Sequence, residues 1–336
     1  METGRLLAKT TNDIDASLDA LASQAVDMRI AAPSGWKPAY YETTIAHECT
    51  VSGPGTYRKG KKSTLCFIPS RDGWSFDRTD RAEQLPIRVA AENVWTSSRS
   101  IVLRSGEESN YMRMTEHIIA HKLGLGLDNV RVCTASGDPP LFDVGSMPIA
   151  EALLATGIVE DKTRPIHYYT VEEPVTLFGA NGSFLNFEPA VNGDKKLYFD
   201  VAIDFPTAIG RQRIQFELCN ESFLHGAHAR TNCPLREVIF ARTVGKLFAD
   251  IRNLGYTSKN ILIAGRKSYY NEPSLMHDGK SLEAVWHRAC LDLIAALSLF
   301  RRGRLAGRVT SYKSGHNLDC RFMTLAEKYN IWREVK

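Results

Sequence analysis

His287 and Asp292 are the pair in this chain whose residue types most readily suggest chemistry, and their spacing is unusual. They lie in Glu283-Ala284-Val285-Trp286-His287-Arg288-Ala289-Cys290-Leu291-Asp292-Leu293-Ile294, an apolar run that reads as a buried helix. A His and an Asp on one helix face make half of a metal site. Side chains share such a face at i, i+3 or i, i+4. These two are five apart, which places them roughly 140° from each other around a regular helix. Either the pair binds no metal, or the helix carries a one-residue bulge.

Three other groups have suitable residue types. In Thr115-Glu116-His117 the Glu and His diverge by about 100° on a helix, so one could bind a metal while the other reaches a neighbouring water. The plainer reading of that pair is a solvated Glu and a packed His. Lys313-Ser314-Gly315-His316 follows a strand, where a loop His beside Lys and Ser suits acid catalysis or phosphate contact, or is an ordinary polar turn. His225-Gly226-Ala227-His228 with Cys233 looks like a metal cluster, but a flexible loop would have to organise it.

The elements that must position these residues follow from periodicity. Residues 10–30 carry Ile14, Leu18, Leu21 and Met28 at helical spacing, with Thr11 or Asn12 as cap, and read as an appended helix. Strands are expected at Thr43–Val51, Ser63–Pro69, Trp74–Asp77, Arg88–Ala91 and Val130–Cys133, and helices at Tyr111–Leu125 and Ala150–Gly157. The second half repeats that order. Its strands are His167–Val171, Ser183–Pro189, Lys196–Ile203, Arg213–Glu217, Asn260–Ala264 and Gly307–Ser311. Its helices are Val244–Leu254, residues 282–301 and Leu318–Tyr329. The expectation is an α+β fold with an N-terminal helical extension (1–40) and two domains of similar build, 41–165 and 166–336.

Composition narrows the function classes. Hydrophobic residues make up 43% of the 336 and charged residues 24%, as in ordinary globular proteins. A net charge of +4 is too weak to argue for nucleic acid. The basic clusters Arg58-Lys59-Gly60-Lys61-Lys62 and Arg301-Arg302-Gly303-Arg304 lack the interleaved aromatics of a nucleic-acid platform. No run is long and apolar enough for a membrane span, and the N-terminus has no secretion signal. The seven scattered cysteines never form a C-x-x-C pair, which suits free thiols in the cytoplasm.

Taken in order, several segments between Glu48 and Glu327 resemble the zinc-dependent UDP-3-O-acyl-N-acetylglucosamine deacetylase family of lipid A biosynthesis. They are Ser52-Gly53-Pro54-Gly55, Asp77-Arg78-Thr79-Asp80, Thr96-Ser97-Ser98-Arg99, Thr115-Glu116-His117 with Gly124-Leu125-Gly126-Leu127-Asp128-Asn129, Asp138-Pro139-Pro140-Leu141-Phe142-Asp143, Ala241-Arg242-Thr243, Asp292-Leu293-Ile294 and Lys313-Ser314-Gly315-His316. The resemblance implies two α+β domains, each a small sheet with two helices, the helices sandwiched between the sheets. It implies Zn²⁺, or Fe²⁺ in its place, held by His117, His287 and Asp292. It also implies Glu116 as general base, His316 as acid towards the leaving amine, Thr243 as oxyanion donor, and Arg288 and Lys313 as substrate contacts. The partner would be a UDP-linked N-acetylated amino sugar.

The chain departs from the family pattern at definite places. The family has His-x-x-x-Asp in the long helix, so one residue is added here between His287 and Asp292. A π-bulge would absorb it. Without one, Arg288 sits at i−4 from Asp292, the two form an ion pair, and the chain is a non-catalytic relative that keeps the cleft for binding. The family's second Asp is Ala296, which leaves His316 without its expected carboxylate. The Phe after Arg-Thr is Val244, the His of the glycine-rich turn is replaced near Tyr57, and the acyl-passage loop shrinks to Gly255–Lys259.

Overall fold

The computed structural model describes residues 2–57, 60–81, 85–234 and 255–336. The protein is α+β, and among the described residues its strands form several sheets. The largest has seven strands in the order Arg5–Leu6, Val175–Phe178, Phe184–Glu188, Gly307–Tyr312, Leu197–Phe205, Gly210–Glu217, Met28–Ile30. Its longest strand, Leu197–Phe205, is buried along most of its length. In Gly210–Glu217 the buried residues alternate (Gln212, Ile214, Phe216), as expected for a strand with one face on the core. Phe199 and Phe216 face each other in register, and their rings stack at 4.9 Å. A second sheet of five strands runs Cys49–Pro54, Lys62–Pro69, Val130–Thr134, Trp74–Arg78, Ile87–Arg88.

The N-terminal segment was expected to stand apart, but it closes the large sheet at both ends. Arg5–Leu6 pairs parallel with Val175–Phe178, and Met28–Ile30 pairs parallel with Gly210–Glu217. Helix α1 (Ile14–Ala22) connects them, and its N-cap is Asp13, which accepts a hydrogen bond from the Ala16 amide, rather than Thr11 or Asn12. Edge strands as short as these carry almost no periodic signal, so the sequence revealed only the helix between them.

The helices that bear the chemistry lie in contact. Helix α2 (Glu116–Gly124) starts later than the apolar spacing suggested, because Tyr111–Met112 belongs to a three-stranded sheet with Val94–Thr96 and Val102–Arg104. The Thr115 amide and hydroxyl both donate to the Ile101 carbonyl at 3.0 Å, and Met114 before it has φ 47°. This anchors the first turn of α2 against the start of the neighbouring strand. Helix α3 (Met147–Ala155) packs on Cys49–Pro54 and on α4 (Asn220–Ala227). The long helix of the second half is composite. It comprises α5 (Glu283–His287), a π-helical turn (Arg288–Leu293) and α6 (Ile294–Leu297), and is buried throughout. Helix α2 packs against both the π turn and α6, and α7 (His316–Lys328) packs against α6 and the strand Phe184–Glu188. Gly226 allows α4 to approach the π turn, since a Cβ there would fall 2.3 Å from Cys290 Sγ. Among the described residues no helix is long and apolar enough to cross a membrane.

Candidate active site

The extra residue between His287 and Asp292 is taken up by the π turn, which begins one residue after His287 and includes Asp292. One i→i+5 turn widens the helix by a residue and returns both side chains to one face. His287 Nδ1 and Asp292 Oδ1 are 3.6 Å apart. The Arg288–Asp292 ion pair that a regular helix would have favoured is not formed. Arg288 turns instead to Asp319 on α7, Nη2 to Oδ2 at 2.5 Å, and Nε donates to the Ser314 carbonyl at 3.0 Å.

Helix α2 brings His117 alongside, its ring centroid 5.3 Å from that of His287. Thr231 lies between the rings, with Oγ1 3.3 Å from His117 Nε2 and 3.1 Å from His287 Nε2. Thr231 opens the strand Thr231–Pro234 and follows Arg230. The fully buried Glu283 at the start of α5 accepts from the Arg230 amide at 3.1 Å and from its guanidinium at 2.6 and 2.9 Å. This clamp ties Thr231 to the helix that carries His287. Sequence reasoning passed over Thr231. The available signal was a second Ala-Arg-Thr triplet, Ala229-Arg230-Thr231, ahead of Ala241-Arg242-Thr243. The Thr243 hydroxyl proposed for the oxyanion, like the helix expected at Val244–Leu254, lies outside the described residues.

Glu116 and His316 complete the cluster. Glu116 Oε2 accepts the Ile101 amide at 2.8 Å, and its Oε1 is 4.0 Å from His316 Nε2. His316 Nε2 is 3.4 Å from Asp292 Oδ1. The loss of a carboxylate at Ala296 therefore does not leave His316 without acidic neighbours. Burial acts to lower its pKa, but Asp292 and Glu116 outweigh burial and hold it above the usual histidine range. Burial pushes the Glu116 carboxyl up to about 7. Burial also drives His117 down to about 3 and lowers His287, so both rings stay neutral with lone pairs free for a metal.

The donor set suits zinc: two neutral imidazoles whose Nε2 atoms approach the same oxygen, and a buried carboxylate oxygen, Asp292 Oδ1, without a hydrogen-bond partner. Among the described residues, no three His, Cys, Asp or Glu side chains stand at the spacing of a closed metal site. The His225-to-His228 segment is not a flexible loop. It ends helix α4, and the His225 ring packs on Trp286 at 4.8 Å. A cavity of about 400 Å³ opens onto Glu116, His117, His287, His316 and Thr231. Arg288 and Lys313 do not line it, and Lys313 Nζ donates to the Asn181 carbonyl at 3.3 Å.

A sequence model of the UDP-3-O-acyl N-acetylglycosamine deacetylase (LpxC) family matches residues 42–326. The chain belongs to this family. The UDP-3-O-acyl-N-acetylglucosamine deacetylase of Citrifermentans bemidjiense is 30% identical over 297 residues, covering 84% of this chain and 88% of its own length. The same-named protein of Geobacter sp. strain M21 is 29% identical over 297 residues, with the same coverage of 84% and 88%. That of Bdellovibrio bacteriovorus is 28% identical over 289 residues, covering 83% and 87%. Membership in the deacetylase family, first drawn from ordered motifs, thus holds across most of the chain, and with it the assignment to a family of hydrolytic enzymes.

One buried histidine beside the site sets a pH response. His121 on α2 is buried, and its Nδ1 lies 3.0 Å from the Ile118 carbonyl. Burial lowers it from the usual 6.5 to about 4. The folded ring stays neutral where the unfolded one takes a proton, so stability falls as pH drops from 6.5 to about 4 and is restored as pH rises. The expected loss is about 3 kcal/mol at the acid end. In urea unfolding across that window, His121→Leu should show a flatter acid limb than the parent; equal slopes would refute it.

Proposed function

We propose that this chain is a zinc-dependent N-deacetylase that hydrolyses the acetamide of UDP-3-O-acyl-N-acetylglucosamine or a close relative. The observation that carries this reading is the π turn over Arg288–Leu293, which turns Asp292 toward His287 and His316. Under this reading His117, His287 and Asp292 turn inward to hold the ion, and Fe²⁺ is an alternative occupant. Bound zinc supplies Lewis-acid activation of water and of the substrate carbonyl.

The chain's own residues do the rest. Glu116 takes the proton of the attacking water; a carboxyl held near 7 is well matched to that task at neutral pH. His316, whose protonated form Asp292 and Glu116 favour, donates to the departing amine nitrogen. Two titratable groups with separate roles thus stand 4.0 Å from each other. Thr231 takes the place beside the metal histidines, and the Thr243 hydroxyl is retained as the oxyanion donor. The same reading treats 41–165 and 166–336 as two α+β units with their helices between the sheets. A cytoplasmic location is in keeping with the absence of disulfides among the described residues.

The test is metal analysis with an activity assay. Purified protein supplied with zinc should bind one ion per chain and release free amine from the UDP-linked sugar, and His287→Ala should lose both. Absence of stoichiometric metal after zinc addition would overturn the reading.

A further inference from the structure

We infer that Arg113, together with Arg99, forms an anion subsite that holds a phosphate group of the substrate in the cavity that His117 and His287 also line. This rests on the deacetylase reading for the identity of the ligand, but not for the existence of the subsite. The resemblance assigned the substrate-contacting cations to Arg288 and Lys313. The first is engaged by buried Asp319, the second caps a carbonyl outside the cavity, and neither lines it. Among the described residues, the arginines that do line it are Arg99 and Arg113. Neither makes a salt bridge to any carboxylate among the described residues.

Arg113 is held in a defined place without being neutralised. Its guanidinium lies 4.9 Å from the Tyr57 ring centre and 5.0 Å from that of Tyr111, and Nη2 donates to the Tyr111 hydroxyl at 2.7 Å. Aromatic faces fix a guanidinium through cation–π attraction and leave its remaining N–H groups unsatisfied. Tyr57 adds no competing charge, because burial pushes its phenol up to about 12. A fixed, half-buried guanidinium that lines a cavity and has no salt bridge among the described residues matches the bidentate geometry of phosphate oxygens. The row continues with Trp95, 48% exposed, whose ring is 5.7 Å from Tyr111 and 4.8 Å from the Arg104 guanidinium. An exposed indole backed by a cation offers a stacking face for a base joined to that phosphate.

Arg113, stacked on Tyr57, directly follows the strand Tyr111–Met112 and brings positive charge to the cavity.

The test is binding, measured by calorimetry on the full-length zinc-loaded protein with UDP, uridine and inorganic phosphate. UDP should bind more tightly than uridine, and Arg113→Ala should weaken UDP roughly 10- to 100-fold, the range expected for a charge-assisted hydrogen bond. Uridine binding should be unchanged in that variant. Arg113→Lys should recover part of the loss, and Arg99→Ala should cause a smaller one. Competition by inorganic phosphate at the same site in the parent but not in Arg113→Ala would identify a phosphate site rather than a nucleoside site. Equal UDP affinity in the parent and Arg113→Ala would overturn the inference. A protein that binds UDP through Arg113 but never releases amine would overturn the deacetylase reading and leave the subsite standing.

Discussion

Glu116→Gln is expected to lower the rate of amide hydrolysis roughly 10²- to 10⁴-fold, the usual contribution of a positioned general base. Under the proposed zinc reading, metal content and fold should be unchanged. Glu116 is buried at the first turn of α2, and Oε2 accepts the Ile101 amide at 2.8 Å. A glutamine oxygen can accept the same bond, so the junction between α2 and the strand Val102–Arg104 is kept. What is lost is the capacity to take a proton. The outcome is checked by following amine release at saturating substrate, with metal analysis and thermal unfolding on the same preparation. A kcat within a few-fold of the parent would remove Glu116 from the base role. Loss of zinc together with activity would point to damage of His117 next to it instead.

The second large effect concerns stability. Asp319→Ala should destabilise the fold by about 3–5 kcal/mol, the cost of leaving one member of a buried ion pair uncompensated. Asp319 is fully buried, accepts from Ser314 Oγ at 2.6 Å and meets Arg288 Nη2 at 2.5 Å. Burial pushes the Asp319 carboxyl up, and the Arg288 guanidinium acts against that rise. Removing the carboxylate strands the guanidinium between the π turn and α7. The double replacement Arg288→Met with Asp319→Leu should cost much less, because both charges leave together. Denaturant unfolding of the parent, both single variants and the double variant measures this coupling. A loss under about 1 kcal/mol for Asp319→Ala would show that the pair does little for the fold.

Both effects concern residues that the chain announced unevenly. Glu116, His117, His287, Asp292 and His316 were legible because each stands in a short segment of recognisable order and type. Thr231 was not, because a threonine before a strand is unremarkable until a folded neighbour such as Glu283 fixes the residue beside it. Arg113 reads as a surface charge at the edge of an apolar run until Tyr57 and Tyr111 are seen on either side of its guanidinium. The expected helix over Tyr111–Leu125 failed at its start for a related reason. Apolar spacing marks a buried face but cannot report that the Ile101 carbonyl captures Thr115 and draws the preceding residues into a sheet.

The long helix divides most sharply between the two kinds of information. By itself the sequence determined that a buried helix lies within residues 282–301, though it ends at Leu297 rather than at 301, that His287 and Asp292 are its polar members of metal-binding type, and that one residue too many separates them. Residue type and apolar content are local properties and survive without coordinates. Only the tertiary structure decided where the extra residue goes. Buried on all sides, the helix must keep α5 in contact with α4 and α6 in contact with α2, so neither flank can rotate to absorb an insertion. The surplus is confined to the turn over Arg288–Leu293, and Arg288 finds Asp319 on a helix that follows later in the chain. Those constraints come from residues distant in sequence, and they turn a spacing that looks wrong for a metal pair into one that brings His287, Asp292 and His316 together.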